Sequence, residues 1–175
     1  MKALTAIIAI SLIFLLTACS NKEDISPVSP QVNPTSLSKA HPVPFNTTYE
    51  AVGNIAITGE YSAHGVMEGS GNAIHVGKYT SISQNDLYYT SATSGIVVNG
   101  THTTYAASGD EMYATYSGTF AIADGIVTNT IDFVFNGGTG RFENLYGELK
   151  AVVTTEDVGQ LVQHLSGSGS GYIIY

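Results

Sequence analysis

Residues 118–153 constrain the fold of this chain more than any other stretch: GTFAIADGIVTNTIDFVFNGGTGRFENLYGELKAVV. A β-rich run ends at Asp124-Gly125, a second follows, and a corner comes next at Gly137-Gly138-Thr139-Gly140, with Phe142 just beyond and a third run behind it. Asp-Gly between two β-rich runs is a strong hairpin signal, because a two-residue turn needs positive φ. Glycines release the backbone at a sharp corner, and an aromatic ring at Phe142 can close a barrel end where they leave a gap.

The residues around this stretch extend the β reading. From Asn46 to Tyr175 there is no proline and little charge, and Tyr, Thr, Val, Ile and Gly dominate, which is a strand composition. The length suits one domain, 46–175. Alternation places Ile55, Ile57 and Tyr61 on one face and Ile74 and Val76 on one face of the next strand. Runs at Leu87–Tyr89 and Ile96–Val98 follow, with Asn99-Gly100 as the next hairpin turn and Ser108-Gly109-Asp110 as another. Met112, Ala114 and Tyr116 alternate with polar neighbours, and Ile131, Phe133 and Phe135 form the most hydrophobic face. About eight strands emerge, enough to close an antiparallel barrel and remove its edges. Near the C-terminus, Val158, Leu161, Val162 and Leu165 have helical spacing. The Ser-Gly run 166–171 limits any helix there to one or two turns, before a closing strand at Tyr172–Tyr175.

The corner also resembles a known family. Gly137-Gly138-Thr139-Gly140-Arg141-Phe142-Glu143, with Gly147 four residues on, looks like the GGTGxFExxxG signature of the allene oxide cyclase and dirigent-like β-barrels. The segment Tyr113–Phe120 is similar to late barrel strands of the same family. The resemblance implies a closed antiparallel barrel whose lumen can hold an apolar molecule. It carries over no catalytic residue, because in that family those come from early strands and the early strands here offer no matching motif.

The N-terminus gives an address. Met1-Lys2 is followed by an apolar run to Leu16 and then by Leu16-Thr17-Ala18-Cys19. A basic start, a short apolar run and small residues before a cut site make an export signal, 1–18, too short for a comfortable membrane span. Leu-Thr-Ala-Cys resembles the bacterial lipobox, in which the cysteine is lipidated and becomes the first mature residue. Cys19 is the only cysteine, so the exported domain has no internal disulfide. Acylated Cys19 would make the lipid bilayer a partner, and Ser20 in place of an aspartate points to the outer membrane rather than the inner one. Residues 19–45 hold all five prolines among serines and asparagines and read as an unstructured tether, with a first strand near Val43-Pro44-Phe45 as the alternative.

Residues for chemistry are sparse. There is no metal-ligand spacing, no cofactor motif and no nucleophile elbow. Loss of Lys2 leaves five of the six basic residues against fourteen acidic ones, which disfavours nucleic acid. A hairpin looping through 64–71 would set Glu60 opposite His75, a possible acid–base pair. On this register the pair lies opposite the apolar face and is more simply an exposed cross-strand contact. The eleven tyrosines suit either strand surfaces or aromatic ligand contacts. The candidates for such contacts are Tyr61, Tyr116, Phe133 and Phe135. His102 and His164 have no identifiable partner.

Three functions remain in play: a tethered barrel that binds an apolar molecule or a surface partner, an isomerase or cyclase working in the lumen, and a structural domain with a filled barrel. A hollow lumen excludes the third, a buried carboxylate or histidine in it favours the second, and a wholly apolar lining favours the first. For the address, Cys19→Ala should leave the protein unprocessed or free of membranes in fractionation. A variant still cut before residue 19 and still pelleting with membranes after a carbonate wash would overturn the lipobox reading.

Overall fold

A computed structural model describes residues 41–175. The signal segment, Cys19 and most of the expected tether lie outside these residues.

Eight strands run in sequence order: β1 (Val43–Gly59), β2 (Ser62–Ala73), β3 (Gly77–Ser91), β4 (Ser94–Ala106), β5 (Glu111–Ala123), β6 (Ile126–Gly138), β7 (Tyr146–Thr155) and β8 (Val162–Ile174). Each pairs antiparallel with the next, and β8 pairs with β1, so the sheet is a closed up-and-down barrel. Alternate residues face the interior, as a pleated strand requires. Phe45, Ala51, Val97, Met112, Ala114, Tyr116, Phe120, Ile131, Phe135, Leu149, Ala151, Val153, Leu165 and Ile173 are buried. The only helical element among the described residues is a 3-10 turn, Gly140–Phe142. The C-terminal helical spacing therefore forms no helix. The backbone turns through 156–161, with Gly159 at φ 76°, and the Ser-Gly run becomes the middle of β8. Its glycines point inward, where larger residues would collide: a Cβ on Gly167 would lie 2.9 Å from Tyr49, and one on Gly169 3.1 Å from Leu149.

The two barrel ends differ. The turns after β1, β3, β5 and β7 form one end, termed here the hairpin end. The turns after β2 and β4, the glycine corner after β6 and both ends of the described chain form the other, the corner end. Asp124 (φ 52°) and Gly125 (φ 78°) make the expected tight turn. At the corner, Gly137 and Gly140 have positive φ, 125° and 55°. A Cβ on Gly140 would overlap the Asp110 carboxylate, and one on Gly138 the carbonyl of Glu111. Thr139 stitches the corner to β5: its amide donates to the Glu111 carbonyl, and its hydroxyl accepts from the Glu111 amide, both at 2.9 Å. The turn drives the Phe142 ring into the barrel end, where it is 0% exposed and packs with Phe45, Met112, Phe135, Leu145 and Ile173. Arg141 covers its outer face, 4.6 Å from the ring centre.

Three expectations need correction. The ordered domain starts before residue 46: β1 begins at Val43, and Phe45 is buried. Pro44 pairs only with Tyr172 of β8, because β2 joins β1 only from Thr47 onward. A proline is tolerated at such a strand start, where one side of the ladder is vacant. The first hairpin turns at 60–61, not through 64–71, so Ile57, Tyr61 and Ile74 are exposed, although Val76 is buried. Asn99-Gly100 is not a hairpin turn. β4 runs through it with Asn99 at φ 54°, and the register against β5 shifts between Val97 and Gly100. This is a bulge, which uses the same positive φ as a turn but keeps the strand going.

Phe142→Ala should destabilise the domain by roughly 3–5 kcal/mol, since the ring is enclosed. Gly140→Val should also be destabilising, through strain and the clash with Asp110. Chemical denaturation of both variants tests the plug: an unchanged midpoint for Phe142→Ala would mean that the ring does not hold the corner end.

Candidate functional site

The barrel encloses a cavity of about 110 Å³. At the corner end its lining residues Phe45, Ala73, Val76 and Phe135 are buried, so the plug seals it there. Toward the hairpin end, Ile55, Leu87, Ile122 and Val127 are only partly covered and Tyr89 is 40% exposed. The lumen is thus accessible from the hairpin end. None of the lining residues is Asp, Glu, Lys or Arg.

The lining is polarised around the barrel. β5 to β8 and the start of β1 contribute chiefly Phe, Ile, Leu, Val and Ala. The inner face of β3 contributes Ser81, Ser83 and Asn85, and that of β4 contributes His102 and Thr104. Of these polar groups, Ser83, His102 and Thr104 bond to one another. His102 Nδ1 lies 2.6 Å from Ser83 Oγ, and its Nε2 lies 2.9 Å from Thr104 Oγ1. The Tyr116 hydroxyl donates to Asn85 Oδ1 at 3.1 Å, and Thr47 and Tyr79 share a 2.7 Å hydroxyl pair. Phe133 joins the two sides: the His102 ring meets it edge-on at 5.4 Å, and Tyr116 lies tilted against it at 4.9 Å.

Burial sets the electrostatics. His102 is held away from bulk water, which lowers its pKa from 6.5 to about 4, because desolvation disfavours the charged ring. Burial likewise raises the Tyr49, Tyr79 and Tyr116 hydroxyls above their usual range, with the Thr47 hydrogen bond opposing part of the rise at Tyr79. All four groups are neutral at pH 7. An imidazole this weakly basic, with no carboxylate behind it, is better suited to hydrogen bonding than to proton abstraction.

Of the residues expected from the sequence, Tyr116, Phe133 and Phe135 line the lumen, and Tyr61 does not. It sits on the turn after β1, 64% exposed. Glu60 and His75 are not neighbours. Glu60 is in the turn before β2 and His75, at φ 70°, in the turn after it. The 12 residues of β2 separate them, a span of about 40 Å. Gly137, Gly138, Gly140 and Phe142 build the corner rather than the cavity wall. Asp86 bonds His64 at 2.8 Å and Asn99 at 2.9 Å on the barrel exterior, and these two hydrogen bonds, Asn99's first, hold its carboxyl below the usual range. His164, read as partnerless, bonds Asp157 at 3.0 Å. Among the described residues no three His, Cys, Asp or Glu side chains converge as a metal would require.

Sequence reasoning missed the polar wall of the lumen, Ser81, Ser83, Asn85, His102 and Thr104, and His102 shows why. Simple alternation through β4 is broken by the bulge: Gly95 and Val97 face inward before it, Gly100, His102 and Thr104 after it. Reading Asn99-Gly100 as a turn hid that change of parity. No family model matches the chain, and no curated protein is detectably similar to it.

The His102 environment makes a pH prediction. Between pH 6.5 and 4 the unfolded chain binds a proton at this ring and the folded barrel does not, so stability falls as pH falls through that window. The loss attributable to His102 should approach roughly 3 kcal/mol. Comparing denaturation of the wild type and His102→Phe from pH 8 to 4 isolates it, because the carboxylates titrate in both. Parallel pH profiles would show that the ring is not shielded.

Proposed function

We propose that the protein is a lipid-anchored, exported barrel whose lumen binds a small, uncharged, largely apolar molecule. The observation that carries this reading is the hollow, charge-free lumen, sealed at the corner end and accessible at the hairpin end. A barrel with only a structural role gains nothing from an internal void, which forfeits packing energy. The volume is below the 300–1,000 Å³ of drug-sized pockets and nearer to a cavity that takes one benzene ring. The occupant is therefore small, unless side chains such as Met67 and Leu87 move aside.

The anchor rests on Leu16-Thr17-Ala18-Cys19 and on the barrel exterior. Among exposed apolar residues such as Val52, Val66, Ile82, Val134 and Val152, that outer wall carries Glu50, Glu68, Asp132, Glu148 and Lys150, with Lys150 and Asp132 paired at 3.2 Å. Such a wall suits water rather than the apolar band of a membrane-spanning barrel, so attachment would be by lipid. The likeness of the corner to the allene oxide cyclase and dirigent-like barrels supports a lumen that hosts a ligand. His102 favours a second reading, an isomerase or cyclase in which a hydroxyl of Ser83 or Thr104, freed by its bond to the neutral imidazole, polarises a substrate carbonyl.

Benzene titrated into isotopically labelled protein should shift the methyl resonances of Met67, Ala151 and Leu165, which line the lumen, and leave those of Val52 and Val152 on the outer wall in place. Absence of lumen shifts at millimolar benzene would return the barrel to a structural role.

A further inference from the structure

The polar chain in the lumen contains more donors than it uses. Ser83, Thr104 and a neutral His102 each hold one polar hydrogen, three in all. The chain has two internal hydrogen bonds, Ser83 to Nδ1 and Nε2 to Thr104. If Nδ1 carries the ring proton, His102 donates to Ser83, Thr104 donates to Nε2, and the Ser83 O–H is left over. If Nε2 carries it, the roles reverse and the Thr104 O–H is left over. Either tautomer leaves one hydroxyl proton free, and neither hydroxyl has another partner among the described residues. Both side chains line the cavity.

We propose that Ser83, His102 and Thr104 form the polar end of the lumen site, and that the site takes an uncharged carbonyl compound, a ketone or ester, whose oxygen accepts the free hydroxyl proton. This rests on the lumen being a binding site, as argued above. The rest of the molecule would lie against Phe133, Ile131 and Ala151 on the apolar side. A charged ligand is disfavoured because nothing in the lining offers a counter-charge, and placing a bare ion there costs several kcal/mol. The low basicity of His102 is consistent with this, since it keeps the chain neutral across physiological pH. The relay also adapts: moving the ring proton from one nitrogen to the other shifts the free donor between β3 and β4 without moving a side chain.

Cyclohexanone and methylenecyclohexane, which differ by C=O against C=CH₂, provide the test. Bound to the wild type, the ketone carbonyl should absorb in the infrared at lower frequency than in hexane, the mark of an accepted hydrogen bond. In Ser83→Ala/His102→Phe/Thr104→Val, which removes every donor of the chain, the band should return to its hexane position. The affinity of ketone relative to hydrocarbon should fall by about five- to tenfold in the same variant. A second readout needs no variant: cyclohexanone should change the ¹⁵N shifts of the His102 ring by fixing its tautomer, and methylenecyclohexane should change them far less. A wild-type carbonyl band at the hexane frequency, a shifted band that survives the triple substitution, or equal ¹⁵N responses to both probes would each overturn the assignment while leaving the lumen a binding site. If neither probe binds, the lumen reading and this inference fall together.

Discussion

The ladder between β1 and β8 is the constraint on which the rest of the structure depends. It runs from Val43↔Ile173 to Asn54↔Val162. Without it the same strands would form an open sheet with two long edges, each a row of unpaired amides and carbonyls. With it, no edge remains, and the inner face becomes a bounded space whose width is set by strand number and tilt. Core packing, lumen shape and the burial of His102 all follow from that closure. The N-terminal end of β1 matters for the same reason. Val43 and Phe45 bring the first strand down to the level of the corner, where Phe45 meets Phe135 edge-on at 5.4 Å.

Much of this was readable from residue order, and the failures share a cause. Asp124-Gly125, Ser108-Gly109-Asp110 and the corner 137–142 were legible because each pairs a backbone need with residues that meet it. Asn99-Gly100 offered the same chemistry and was misread, because positive φ serves a bulge as well as a turn. Local sequence states that the backbone must bend there, but not whether the chain reverses. The consequence reached the site, since His102 faces the lumen only because the bulge shifts the alternation of β4. The Ser-Gly run was legible as non-helical but not as a wall strand. Its inward glycines make sense only beside Tyr49 and Leu149, which approach from the neighbouring strands.

The lumen combines two kinds of wall. Toward β5–β8 it is packed like an ordinary core, with clusters around Phe135, Val153 and Ile131. Toward β3–β4 it is lined by small hydroxyls, an amide and an imidazole. Buried polar groups are costly unless bonded, and here Ser83, His102 and Thr104 bond to one another and Asn85 to Tyr116, with one hydroxyl proton left over. Such networks hold side chains in defined orientations. Phe133 touches both walls, so a change at either side reaches the other through one ring. No formal charge enters this space, although the chain as a whole carries a net charge of −8.

The Ser-Gly run in β8 has a kinetic implication. Between Ser166 and Gly171 the strand repeats with period two, so sliding it by two residues along β1 and β7 exchanges glycine for glycine and serine for serine. Side-chain identity in this segment does not distinguish the native alignment from the slipped ones, and a strand of that kind is prone to misregistry. The larger residues at its ends do distinguish them. Leu165 packs with Ala51, Ala151 and Val153, and Ile173 is fully enclosed at the corner end. β8 therefore closes the barrel as a featureless strip fastened by two pins, and its final alignment is decided at those pins rather than along the strip between them.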